Sequence, residues 1–178
     1  MSKYPYNHET VVVVPAPAQD VFDFVDDHSR LSSHMTRRSW MMGGGTMAIE
    51  TDSGHARVVG SRLKLHGTVF GLRLSVEEVV TERVPPFRKT WDTIGEPALL
   101  VIGPYRMGIE IDDGGRSSRL RVWIEYALPR GLPSHWLGSL FGRQYASWCT
   151  RRMANDAYCH FEATGGGRGA NIGESSCQ

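Results

Sequence analysis

The sequence predicts an α+β chain: seven antiparallel strands, two short helices after the first strand, and one long C-terminal helix. Three observations lead there. The pattern alternates with period two almost without break from Thr46 to Leu128. A short β-branched run stands alone ahead of it, and a single long helical stretch follows it.

The first strand is expected over Glu9–Val14, where VVVV is closed by Pro15 and Pro17. From Ala18 to Asp27 the period changes. Val21, Phe22, Phe24 and Val25 make a helical stripe flanked by acidic residues. Pro17 sits just before this helix, where its fixed φ suits helix entry. A second short helix is expected from about His28 to Met35. Six strands follow, over Thr46–Thr51, Arg57–Leu65, Leu72–Val84, Phe87–Ile94, Pro104–Asp112 and Ser118–Leu128. Turn chemistry separates them: Asp52-Ser53-Gly54, Pro85-Pro86, Gly95-Glu96-Pro97 and Asp113-Gly114-Gly115. In the last two strands Tyr105, Met107, Ile109 and Ile111 share one face, as do Leu120, Val122, Ile124, Tyr126 and Leu128. One face of the sheet is therefore buried and the other largely wet. LPRGLP at 128–133 ends the sheet, and a long helix starts near Ser134 and ends near Phe161. Residues 1–7 carry no pattern and the Gly-rich segment 164–178 cannot offset its chain entropy, so both are expected to be disordered.

Composition excludes several classes. At 178 residues the chain makes one domain with its own core, over residues 8–163, without need of disulfide or metal staples. Twenty basic against nineteen acidic residues, with no long basic run, give no footprint for nucleic acid. Cys149 and Cys159, ten apart on one helix, lie about 15 Å from each other, beyond disulfide reach. With no CxxC motif and no apolar run near 18 residues, the expectation is a reduced, cytoplasmic protein without stable membrane insertion. The histidines show no HxxxH, HxH or HExxH pairing, so no metal and no cofactor is expected. Gly43-Gly44-Gly45 lacks the Lys-Ser/Thr of a phosphate loop and reads as a flexible connection.

Three segments carry a family resemblance. VVVVPAPAQDVFDFVDD is similar to the entry of the START/Bet v 1-like superfamily, also called SRPBCC, which includes polyketide cyclases/dehydrases and lipid-transport proteins. GTVFGLRLSVEEVVTERVPPFRKTWDT resembles its long strand, Pro turn and Trp-bearing strand, and the closing helix lies where that group places its ligand-covering helix. The resemblance spans about residues 8–163. It implies the helix-grip fold, a strongly curved sheet with the terminal helix across its concave face and an apolar cavity between them. The superfamily has no universal catalytic signature, so the reaction, if any, does not follow from the fold.

Placed on that fold, Trp91, Tyr105, Met107, Tyr126, Phe141, Tyr145, Trp148 and Arg152 are the expected ligand-binding residues. Large aromatics at such positions also simply fill cores. Arg152 and Asp156 sit four apart on the helix's inward arc, with Gln144 and Asn155 near them. They are read either as a polar anchor for a ligand carbonyl, hydroxyl or carboxylate, or as an ordinary surface pair. Catalytic candidates are Arg152, Asp156, His66 and Tyr126, with Tyr105 beside them. The leading functional expectation is a carrier of a hydrophobic or amphipathic small molecule: a lipid, polyketide or aromatic metabolite. One alternative is a metal-free cyclase/dehydratase using the same pocket. The other is a stress- or toxin-related interaction module whose cavity is vestigial, packed shut by Trp91, Trp148 and Phe141. The sequence leaves the oligomeric state open.

Overall fold

The computed structural model describes residues 3–27, 46–69 and 71–165. The second short helix expected over 28–35, the Gly43–Gly45 connection and the tail from 166 onward lie outside them. The elements in chain order are β1 (Tyr6–Val14), α1 (Ala18–Asp26), β2 (Thr46–Thr51), β3 (Arg62–Val69), β4 (Leu72–Val84), β5 (Arg88–Thr93), β6 (Tyr105–Asp113), β7 (Ser118–Tyr126) and α2 (Leu132–Gly165). All seven strands form one antiparallel sheet in the order β1-β7-β6-β5-β4-β3-β2. This is the helix-grip arrangement.

The alternation read from the sequence sets the two faces. Tyr105, Met107, Ile109 and Ile111 of β6 and Leu120, Val122, Ile124 and Tyr126 of β7 are all buried. They form the centre of the core, with Leu63, Leu65, Val76, Val80 and Trp91 continuing it along the other strands. Neighbouring β6 and β7 positions such as Arg106, Glu110 and Arg121 face outward into ion pairs. α1 closes one end of the concave face with Val21, Phe22 and Val25, each fully buried, against β6 and β7.

Several boundaries differ from expectation, including the end of β3 at Val69 rather than Leu65, and two of the differences have identifiable reasons. β3 begins at Arg62 rather than Arg57, because the Asp52 carboxylate accepts hydrogen bonds from the Gly54 and Arg62 amides and the Ser61 hydroxyl. That local network competes with strand pairing, and His55 and Ala56 adopt positive φ within it. The N-terminal residues are not loose either: β1 starts at Tyr6, and Tyr4 is buried beneath Arg106 with its hydroxyl 3.5 Å from Asp92. Among the described residues Cys149 is a free, buried cysteine.

A bulge in β4 between Val80 and Glu82 shifts the pairing phase against β5. Before it, Leu74, Val76, Glu78 and Val80 point into the concave face; after it, Arg83 stands opposite inward-facing Lys89. Both cations then converge on Asp26 at the end of α1. Arg83 Nη2 lies 2.8 Å and Lys89 Nζ 3.0 Å from its carboxylate, and Lys89 also donates to the Asp26 carbonyl at 2.8 Å. Lys89 is fully buried. Burial alone would raise the Asp26 carboxyl, but the Arg83 hydrogen bonds and the Lys89 charge outweigh it and hold the group below its ordinary range. Burial in turn lowers the Lys89 ammonium.

Since the folded pKa of Asp26 lies below the unfolded one, its contribution is present above about pH 4 and is lost as pH falls through the folded value. Asp26→Asn strands a buried lysine and is expected to cost about 3–5 kcal/mol at neutral pH. Urea unfolding across the acid range should show that loss, together with a shallower acid limb than the parent.

Candidate functional site

α2 does not lie centrally over the sheet; it rests on β1 and β7. Its seat is polar and tightly fitted. Thr150, fully buried, meets the Thr10 hydroxyl at 2.9 Å and His8 Nδ1 at 3.1 Å, and donates back to the Ala146 carbonyl. Farther toward the N-terminus, Gly138 and Gly142 allow a close approach. A Cβ on Gly138 would stand 2.9 Å from the Val101 carbonyl oxygen, and one on Gly142 would stand 3.1 Å from it. The loop carrying Val101 therefore packs directly beneath the helix.

Between helix, loop and sheet lies an enclosed cavity of about 20 Å³. Val76 of β4, Tyr105 and Met107 of β6 and Ile124 of β7 form its sheet wall. Leu99 and Ile102 of the loop close one side, and Tyr145 and Cys149 of α2 cover it. The lining is apolar apart from two phenols and a thiol. Tyr105 is held at both ends: Thr93 Oγ1 accepts from its amide at 3.1 Å and donates to its carbonyl, while its hydroxyl makes a short hydrogen bond to Glu78. Glu78 is buried on the same concave face. Tyr145 hydrogen-bonds the Cys149 thiol.

This environment fixes protonation. Burial, then the neighbouring Glu78 carboxylate, raise the Tyr105 phenol well above its usual value. Burial raises Tyr145 likewise and pushes the Cys149 thiol up to about 12. All three lining groups therefore remain protonated across the physiological range. The Tyr105 and Tyr145 O–H groups are already given to Glu78 and Cys149, so toward a ligand the phenol oxygens accept and the Cys149 S–H donates, while Cys149 lacks the thiolate character a nucleophile needs.

The expected site residues divide. Tyr105, Met107 and Tyr145 line the cavity. Trp91 is buried opposite Met107 and Val80, in the core beside it. Tyr126 is buried and stacks on Tyr6, with ring centroids 5.5 Å apart. Trp148 and Arg152 line a different, open groove of about 710 Å³ along the outer flank of α2, together with His8, Arg143, Gln144, Ser147, Arg151 and Asn155. Arg152 pairs with Asp156 at 3.4 Å on that flank, so the pair is not at the floor of the enclosed cavity. Phe141 is half exposed, because the helix turns it away from the sheet. His66 faces outward, out of phase with buried Leu63 and Leu65, and lies 3.7 Å from Glu50. Sequence reasoning missed Glu78, although its phase with Leu74, Val76 and Val80 signals an inward carboxylate. It also missed Cys149 as lining, and Leu99 and Ile102, which sit on a loop without periodicity.

The chain matches the family described as "Polyketide cyclase / dehydrase and lipid transport" over residues 7–156. It belongs to that family. Solved structures agree on the fold. The chain is similar to the Zhui aromatase/cyclase from Streptomyces sp. R1128, with a TM-score of 0.60 at 14% identity, covering 88% of this chain and 93% of that one. It is similar to norcoclaurine synthase from Thalictrum flavum, with a TM-score of 0.59 at 15% identity, covering 87% and 85%. A protein from Thermus thermophilus gives a TM-score of 0.61 at 12% identity, covering 89% and 99%. At such identities the likeness concerns the fold. No curated protein matches the chain.

The buried phenols yield a test by alkaline titration. Folded pKa values raised above the unfolded value mean that the stabilisation is intact below about pH 10 and is lost as pH rises through the folded values. Phenol absorbance should show Tyr105 and Tyr145 ionising only with unfolding, and Tyr105→Phe and Tyr145→Phe should leave the earlier titration unchanged. Iodoacetamide should likewise leave Cys149 unmodified in the folded chain at neutral pH and modify it after denaturation.

Proposed function

We propose that the protein binds a hydrophobic or amphipathic small molecule between the concave face and α2. The supporting observation is an enclosed apolar space on which the protonated hydroxyls of Tyr105 and Tyr145 and the Cys149 thiol converge. Apolar walls supply affinity by removing ligand surface from water, and the few polar groups set orientation. A ligand with an aromatic or polyketide-like body and at least one carbonyl or hydroxyl meets both demands. A cavity of about 20 Å³ has room for roughly one water. Binding therefore requires the helix or the Leu99–Ile102 loop to move outward, a shift driven by the ligand's preference for the opened state.

A second reading, a cyclase/dehydratase-type enzyme, draws support from the Glu78–Tyr105 contact. A carboxylate hydrogen-bonded to a phenol in an apolar site is suited to moving a proton at a bound carbonyl. On this reading the acid/base work falls to Glu78 and Tyr105, since His66, Arg152 and Asp156 lie elsewhere. An interaction module with a filled interior is less well supported. The space is nearly closed, but of the three expected plugs only Trp91 is packed in the core beside it; Phe141 faces solvent and Trp148 lines the outer groove.

Titration with N-phenyl-1-naphthylamine checks the binding reading. The parent should enhance probe fluorescence saturably. Met107→Ala, which enlarges the space, should bind the probe at least as tightly, and Leu99→Trp, which obstructs it, should weaken binding about tenfold or more. A parent that gives no saturable enhancement, and that retains nothing extractable in native mass spectrometry, contradicts the proposal.

A further inference from the structure

The first turns of α2 present an unusual outer surface. Leu132, Trp136, Leu140 and Phe141 are 90%, 68%, 48% and 51% exposed. Leu132, Trp136 and Leu140 succeed one another at four-residue spacing, so they form a single stripe along the helix. The same side of the helix continues into the open groove, whose flank carries Arg143 and Arg151 beside His8. Neither arginine forms an ion pair among the described residues, and their charges act with burial to lower the pKa of His8. From residue 132 to 155 the helix contains no Asp or Glu, and Asp156, the first carboxylate, is already engaged by Arg152. No helix among the described residues is long and apolar enough to cross a membrane.

An exposed Leu/Trp stripe followed by guanidinium groups without ion pairs among the described residues is the side-chain set of a helix that lies in a membrane interface. The apolar side chains enter the headgroup–acyl boundary, and the arginines meet lipid phosphates in the bidentate geometry they favour. We infer that this outer face of α2 docks the protein on an anionic lipid bilayer. A second copy of the chain would cover the apolar stripe but, from this helix, offers no carboxylate for Arg143 and Arg151 before Asp156; phosphates answer both halves of the surface. On its inner side the same helix covers the enclosed cavity with Tyr145 and Cys149. Docking there brings the bilayer to the side of the molecule from which that cavity is closed. The inference does not depend on what the cavity binds.

The test is flotation of the full chain with phosphatidylcholine vesicles, with and without added phosphatidylglycerol. The protein should float with the anionic vesicles at low salt, release as salt rises, and bind the neutral ones much more weakly. Trp136→Ser with Leu140→Ser should abolish flotation, and each of Arg143→Gln and Arg151→Gln should weaken it on the order of fivefold. All four positions lie at the surface, so melting curves should match the parent and separate a docking defect from misfolding. No binding to anionic vesicles, or equal binding to neutral ones, overturns the inference. So does a parent dimer in vesicle-free solution that Trp136→Ser converts to monomer, since that assigns the face to a second copy.

Discussion

Where α2 touches the sheet decides the rest of the structure. Its buried Thr150 is hydrogen-bonded to Thr10 and His8 on the edge strand, and its two N-terminal glycines let the Val101 loop pack beneath it. With the helix seated on β1 and β7, one cylinder cannot also cover β2 to β5 of a twisted sheet. The uncovered part of the concave face must be closed by α1, by the Leu99–Ile102 loop and by side chains of its own. A cavity at the junction of these pieces is a geometric consequence of that seat, as is a helix flank lined from the sheet by His8 of the edge strand.

The concave face also carries charge that a simple apolar core would not. Asp26, Arg83 and Lys89 gather at the α1 end, and Glu78 sits with Tyr105 under the helix. Each carboxylate has its donors within the fold, which is the condition for burying charge at tolerable cost. The two clusters differ in consequence. The first joins α1 to β4 and β5 and reads as structural, because two cations already saturate its carboxylate. The second borders the enclosed cavity through Tyr105 and has a phenol as donor, so its hydrogen bonding can be shared with a guest.

Much of the fold is legible in the residues, and less of the site. β2 and β4 match their expected limits because clean alternation ends on strong turn residues, and the β6–β7 pair is readable for the same reason. β3 departs from its expected start where the Asp52 side chain captures backbone amides, a competition that periodicity cannot register. The inward arc of α2 is narrower than the sequence projection suggests. Projecting side chains on an ideal helix gives relative angles, but the zero angle depends on the contact with β1, which places Arg152 and Phe141 outside. Arg83 stays hidden in the sequence because the β4 bulge reverses the phase that alternation assumes, whereas Lys89 is in phase with inward Trp91 and only its charge keeps it out of the expected interior. Glu78 is within reach of the same alternation argument, and charge alone keeps it out of the expected interior.

The most direct test of a ligand space between sheet and helix is a methyl-resolved NMR titration with an apolar guest, following Met107 and Ile124 inside and Leu132 and Leu140 outside. The account predicts saturable shifts at Met107 and Ile124 with the outer leucines unmoved. Shifts confined to Leu132 and Leu140, with the inner methyls unchanged to saturation, would contradict it.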